Sequence, residues 1–276
     1  MALSSLGTAA AAEAAPWLER LARVGFAAKG VLYLTIGLLS ARAAIGAGGR
    51  TVTDTHGAMD VLGDTFGKPL LVIIALGLVG YGIWQVVSAI TDAERCGRDG
   101  RGIAKRISAA LRGVLHIALA GTAASLALWQ AKSGGGHDAK ARHWTGELLG
   151  TTGGVLVVWA IAIGVAAYGI YELYCAWTAK LDKQLDLERL GHGAKRAVIA
   201  ISRFGIAARG VVFISVAVLF ARAAMSRNAN EAGGTGASMR ELFAFGRVPF
   251  AVIAIGVAAY GTYQLLNARY RRIRTS

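Results

Sequence analysis

The chain has 276 residues, 55% of them apolar, with a mean hydropathy of +0.49 and a formal net charge of +14. The apolar residues gather into about six blocks, each near the ~20 residues that carry a helix across a bilayer, where a soluble domain would scatter them in short runs. No ten-residue alternating segments suggest a membrane barrel, and the cations cluster beside the apolar blocks, which argues for topology and anionic lipid contact and against nucleic acid.

Residues 1–16 are alanine-rich, have no basic leader, and read as a flexible N-terminal tail, not a cleaved signal peptide. Trp17 to Arg23 reads as an amphipathic lead-in. The first span is expected over about Val24–Ile45 and the second over Leu70–Ile90, joined by a loop with a short helix near Ala58–Phe66. A charged loop follows, with Arg95, Arg98, Arg101, Lys105 and Arg106. Spans three and four are expected near Ile107–Trp129 and Val155–Trp177, with a short helix at Trp144–Leu149 between them. A second charged loop carries Lys180, Lys183, Arg189, Lys195 and Arg196. The fifth and sixth spans fall near Val198–Ala224 and Pro249–Leu266, and residues 270–276 form a basic tail. Cations are sparser in the other three loops, although Arg42, Lys68, Arg142 and Arg222 fall there. This bias predicts cytoplasmic termini in a multi-pass membrane protein.

Inside the even-numbered spans one pattern occurs three times: Gly77-Leu-Val-Gly80-Tyr81-Gly82-Ile-Trp84-Gln85, Gly164-Val-Ala-Ala-Tyr168-Gly169-Ile-Tyr171-Glu172 and Gly256-Val-Ala-Ala-Tyr260-Gly261-Thr-Tyr263-Gln264. Glycine, tyrosine and the polar group stand at i, i+4 and i+8, a stripe on one helix face that should turn away from lipid. The odd-numbered spans match as well. Arg23 to Tyr33 returns as Arg203 to Phe213, and more loosely as Arg106 to His116; a cation, five residues, then cation-Gly-Val is common to all three. The chain is therefore three repeats of two spans, over residues 17–92, 93–179 and 180–269. Two-span units keep every copy in the same orientation, so a pseudo-threefold arrangement of helical hairpins is expected.

The Arg-Gly lead and the Gly-Tyr-Gly-x-aromatic-Gln/Glu close resemble the bacterial membrane family catalogued as domain of unknown function 1206, from about Trp17 to Arg269. The resemblance implies the architecture and carries no activity. The middle copy departs from it at Ser108 and His116.

Lys29, Arg112 and Arg209 lie six residues, ~9 Å, past the edge arginines, deep enough to be either functional cations or side chains that snorkel back to the headgroups. Gln85, Glu172 and Gln264 should lie at matching depth. Pairing within each hairpin would set Lys29 by Gln85, Arg112 by Glu172 and Arg209 by Gln264, as helix-to-helix glue or as a transport site. Tyr81, Tyr168 and Tyr260 are expected to point inward, and Gly77, Gly164 and Gly256 to serve helix packing. Cys96 and Cys175 read as free thiols. His137 and His143, near Asp138, make a weak metal-site pattern, and His116 reads as a buried, hydrogen-bonded side chain. No catalytic motif, cofactor motif or metal set is recognised. Two readings of function follow, ahead of a third, an intramembrane enzyme built on His116, Glu172, Arg112 and Arg209. One is a non-enzymatic structural, assembly or partner-binding membrane component, with a membrane protein or a second copy as partner. The other is a small channel or transporter for an anion or lipid-like solute with a basic cytoplasmic vestibule.

Overall fold

The computed structural model describes residues 2–47, 54–92, 97, 99–129, 136–178, 181, 185–188 and 191–271; the side chains of residues 1–16, Leu18, Arg101, Trp129 and His137 are not described. Cys96 and the loop cations Arg95, Arg98, Lys180, Lys183 and Arg189 lie outside the described residues.

Nine α-helices are present among the described residues: α1 (Ala2–Ala44), α2 (Thr55–Phe66), α3 (Lys68–Thr91), α4 (Gly100–Trp129), α5 (Gly136–Leu149), α6 (Gly154–Thr178), α7 (His192–Ser226), α8 (Thr235–Ala244) and α9 (Arg247–Tyr270). The helices α1, α3, α4, α6, α7 and α9 are each long and apolar enough to span a bilayer. The expected tail is instead helical backbone from Ala2, in one piece with α1. Its run of alanines, the residue with the highest helix propensity, accounts for this.

The three outer loops carry α2, α5 and α8. Asp54 caps α2 by accepting a hydrogen bond from the Gly57 amide at 2.9 Å. At Gly67 (φ 79°) and Gly246 (φ 128°) the backbone adopts left-handed-side conformations open to glycine, which turn α2 straight into α3 and α8 into α9. Pro69 and Pro249 follow within the first turn of the span. Buried Asp138 on α5 joins two outer segments: its carboxylate accepts from the Gly234 amide at 2.8 Å and from Arg240 at 2.6 Å. Asp138→Ala would leave the Gly234 amide without its acceptor and release the exposed Arg240 to water, and a loss of about 1–3 kcal/mol is expected in thermal unfolding of the detergent-solubilised protein. An unchanged transition would show that the outer helices hold without this tie.

The tightest helix pairs lie between the repeats, not within them: α3 with α4, α6 with α7, and α9 back onto α1. Each crossing is made by two glycines. A Cβ built on Gly82, Gly169 or Gly261 would fall 2.8, 2.9 or 2.9 Å from the carbonyl oxygen of Gly113, Gly210 or Gly30. The backbones therefore approach as closely as small-residue membrane interfaces allow. One aromatic contact accompanies each crossing. The ring four residues past each lead cation packs on the stripe tyrosine of the preceding repeat: Tyr33 on Tyr260 at 4.8 Å, His116 on Tyr81 at 4.7 Å and Phe213 on Tyr168 at 5.0 Å. The three units thus close head to tail around a pseudo-threefold axis. Toward the outer loops the interior is filled by Leu32, Ile36, Met59, Met239, Phe250 and Val257. Met59 and Met239 come from α2 and α8, so the short helices plug that end of the bundle.

Candidate functional site

At the opposite end, near the C-terminus, the three stripes enclose a cavity of about 200 Å³. All nine polar, cationic and tyrosine positions singled out in the sequence line it: Lys29, Arg112 and Arg209, with Gln85, Glu172 and Gln264, and Tyr81, Tyr168 and Tyr260. They meet because the Gly–Gly crossings rotate every stripe toward the axis.

The pairing differs from the expected one. Arg209 does not reach for Gln264 in its own hairpin. It donates to Glu172 of the preceding repeat at 2.8 Å and to the Tyr168 hydroxyl at 3.1 Å. Its guanidinium also lies 4.7 Å from the Phe213 ring and 4.9 Å from the Tyr260 ring. The reason is twofold: the close helix pair is the one between repeats, and only the middle stripe ends in a carboxylate. Gln85 donates to Tyr81 at 2.8 Å on its own helix, and Lys29 lies 4.1 Å over the Tyr81 ring. Arg112 lies against the Tyr168 hydroxyl and makes no ion pair with Glu172. Among the described residues, no carboxylate comes within ion-pair distance of Lys29 or Arg112. Nε of Arg112, Nε of Arg209 and Oε1 of Gln264 are buried with no hydrogen-bond partner among the described residues.

His116 is buried and donates from Nδ1 to the Arg112 carbonyl at 2.6 Å, filling the aromatic role that Tyr33 and Phe213 play in the other repeats. His143 pairs on the surface with Glu147 at 3.4 Å, and no metal-holding group of His, Cys, Asp or Glu occurs among the described residues. Cys175 is a free, half-buried thiol on the cavity wall.

Two features escaped the sequence reading. The charged loop after α6 contributes Leu181, Leu185 and Leu187, all buried in one apolar cluster with Tyr260 and Tyr263. Leu181 lines the cavity, and the Asp186 amide donates to the Tyr270 carbonyl at 2.7 Å, strapping the loop to the end of α9. The i, i+4 leucine spacing was the available signal. Arg271 is the second: it lines the mouth and stands 5.1 Å over Phe26 and 5.3 Å over Trp84.

Gly164 is a correction. Gly77 packs on Ala28 and Gly256 on Ala208, as expected for helix packing, but Gly164 has nothing within 4 Å of a built Cβ. The position on α4 that matches Ala28 and Ala208 is Leu111, and the position that matches Gly25 and Gly205 is Ser108. Neither reproduces the Gly-x-x-Ala face on which Gly77 and Gly256 pack. Accordingly α4 and α6 lack the close packing seen between α1 and α3 and between α7 and α9.

The profile of the family described as Domain of Unknown Function (DUF1206) matches residues 24–92, 107–179 and 204–271. The chain belongs to that family. Its three matched segments coincide with the three hairpins, and the DUF1206 chain is a multi-pass membrane protein of three tandem two-span units. It is similar to an uncharacterised protein of Bacillus subtilis (strain 168), YxxB, with 26% identity over 264 residues, 95% of this chain and 94% of that one. No solved structure matches.

Proposed function

We propose that this DUF1206 protein is a non-enzymatic membrane protein that binds a small anionic group in the cavity between its three hairpins. One observation carries the reading: among the described residues, the buried or half-buried lead cations Lys29, Arg112 and Arg209 line the cavity with one carboxylate, Glu172, which is already paired with Arg209. Uncompensated charge inside a membrane protein is expensive and marks a functional site by default. An anion between Lys29, Arg112 and Arg209 would offset that cost and give the orphaned Nε atoms an acceptor. A purely structural role for the stripes calls for groups tied helix to helix with no void among them, so the cavity favours the solute-binding reading. The methionine-plugged outer end supports a blind site over an open pore.

The described cations at the cavity end, among them Arg20, Arg23, Lys105, Arg106, Lys195 and Arg196, support a mouth facing the cytoplasm of a bacterial inner membrane.

Cys175 provides the test. In a Cys96→Ser background, a sulfonate-bearing thiol reagent should label Cys175 about tenfold faster than a trimethylammonium-bearing one of the same size, because the cationic walls concentrate anions. Lys29→Met should narrow the ratio. Equal rates, or faster labelling by the cationic reagent, would sink the proposal.

A further inference from the structure

Among the described residues, the ring of helices is open where α4 and α6, the two spans of the middle repeat, face each other. Three matched positions show the opening. Ala28 and Ala208 are each 6% exposed, whereas Leu111 is 60% exposed. Trp84 and Tyr263 are 3% and 8% exposed, whereas Tyr171, at the same place in the stripe, is 45% exposed. Gly77 and Gly256 meet a partner helix, whereas Gly164 meets open space. The seam walls are apolar, and its inner edge is polar: half-buried Arg112 follows Leu111 on one side, and Tyr168 and Glu172 stand beside Tyr171 on the other.

A free inorganic anion would gain nothing from a lipid-facing slot with apolar walls. A molecule with a charged head and hydrocarbon tails would use both parts at once. We infer that the ligand is an anionic phospholipid, whose phosphate enters sideways through the α4–α6 seam to lie between Arg112, Lys29 and Arg209 while its acyl chains remain against Leu111 and Tyr171 in the bilayer. The inference rests on the anion-site reading and specifies its ligand. Charge complementarity selects the head: Lys29 is 3% exposed with no carboxylate within ion-pair distance among the described residues. The unpartnered Nε of Arg209, on a side chain 9% exposed, adds an unsatisfied donor on a residue that lines the same cavity.

The sequence also shows how to shut the seam. Ser108→Gly with Leu111→Ala recreates the Gly-x-x-Ala face that packs α1 on α3 and α7 on α9. Gly164→Trp fills the slot from the other wall with no neighbour to displace, so it decides the matter alone if the double variant misfolds. The full chain in neutral detergent is titrated with dioleoylphosphatidylglycerol and dioleoylphosphatidylcholine by native mass spectrometry, and with inorganic phosphate by calorimetry. The expected result is at least tenfold preference for phosphatidylglycerol over phosphatidylcholine. Both seam variants should lose at least tenfold in phosphatidylglycerol binding and change phosphate binding less than twofold. Phosphatidylglycerol bound equally well with the seam closed overturns lateral entry. Phosphate bound without phosphatidylglycerol overturns the lipid and leaves a soluble-anion site. Binding of neither removes the anion site as well.

Discussion

Glu172→Ala is expected to lower stability by about 3–5 kcal/mol, because it leaves the Arg209 guanidinium buried without its counter-charge. The pair is well shielded, with side chains 9% and 11% exposed, so bulk water does little to replace the lost carboxylate. Glu172→Gln keeps an acceptor for Arg209 and should cost less. Its informative consequence has the opposite sign. With Glu172 neutralised, all three lead cations are available, and affinity for a small anion should rise about tenfold, equivalent to ~1.4 kcal/mol. Phosphate added at about a hundred times its dissociation constant should then return roughly 2.7 kcal/mol of stability to the variant. The double variant Glu172→Gln with Arg209→Gln should recover much of the single-variant loss, since a neutral pair leaves no buried charge exposed to desolvation cost. The measurement is thermal unfolding in detergent across a phosphate series. If Glu172→Gln is destabilised but indifferent to phosphate, the Arg209–Glu172 bond is helix glue and nothing more.

How the site came to be legible follows from what each signal depends on. The spans are read from length and apolarity, which act residue by residue. Six of the nine cavity positions are read from the i, i+4, i+8 stripe, because a polar face on an apolar rod has only the bundle interior to turn to, and the three cations are read from the cation-Gly-Val lead of the odd-numbered spans. Which stripe meets which cation is a different kind of fact. It depends on the order of helices around the axis, and a hairpin suggests its own two arms as neighbours. The Gly82–Gly113, Gly169–Gly210 and Gly261–Gly30 crossings decide otherwise. Both glycines of each crossing were visible in the motifs, one after the stripe tyrosine and one after the lead cation; their mutual contact was not. The seam was visible as Ser108 and passed over at Leu111, since a leucine in a span carries no alarm by itself. It becomes informative only beside Ala28 and Ala208, on whose small side chains Gly77 and Gly256 pack. The loop leucines Leu181, Leu185 and Leu187 were hidden by the charges between them, which dominate any average over that segment.

The glycine crossings support the second large expectation. Gly261→Leu should destabilise the protein by at least about 3 kcal/mol, the upper range for forcing extra atoms into a packed interior. A Cβ there would stand 2.5 Å from the Leu34 amide nitrogen and 2.9 Å from the Gly30 carbonyl oxygen, both backbone atoms that no rotamer change can move. Because α9 on α1 is the crossing that joins the third repeat to the first, the damage should spread to the whole ring. Gly82→Leu and Gly169→Leu strike equivalent crossings, where the built Cβ stands 2.8 Å from Gly113 and 2.9 Å from Gly210 at their carbonyl oxygens. They should behave alike. Gly164→Ala is the decisive contrast: it sits at a motif glycine too, but faces open space, so its unfolding should match the parent within about 0.5 kcal/mol. A stripe glycine needed for helix propensity alone would respond in the reverse way, since alanine is the better helix former at every one of these positions. Equal losses at Gly164 and Gly261 would therefore mean that α4 and α6 are packed in the membrane, that the seam is closed, and that the threefold ring has no door.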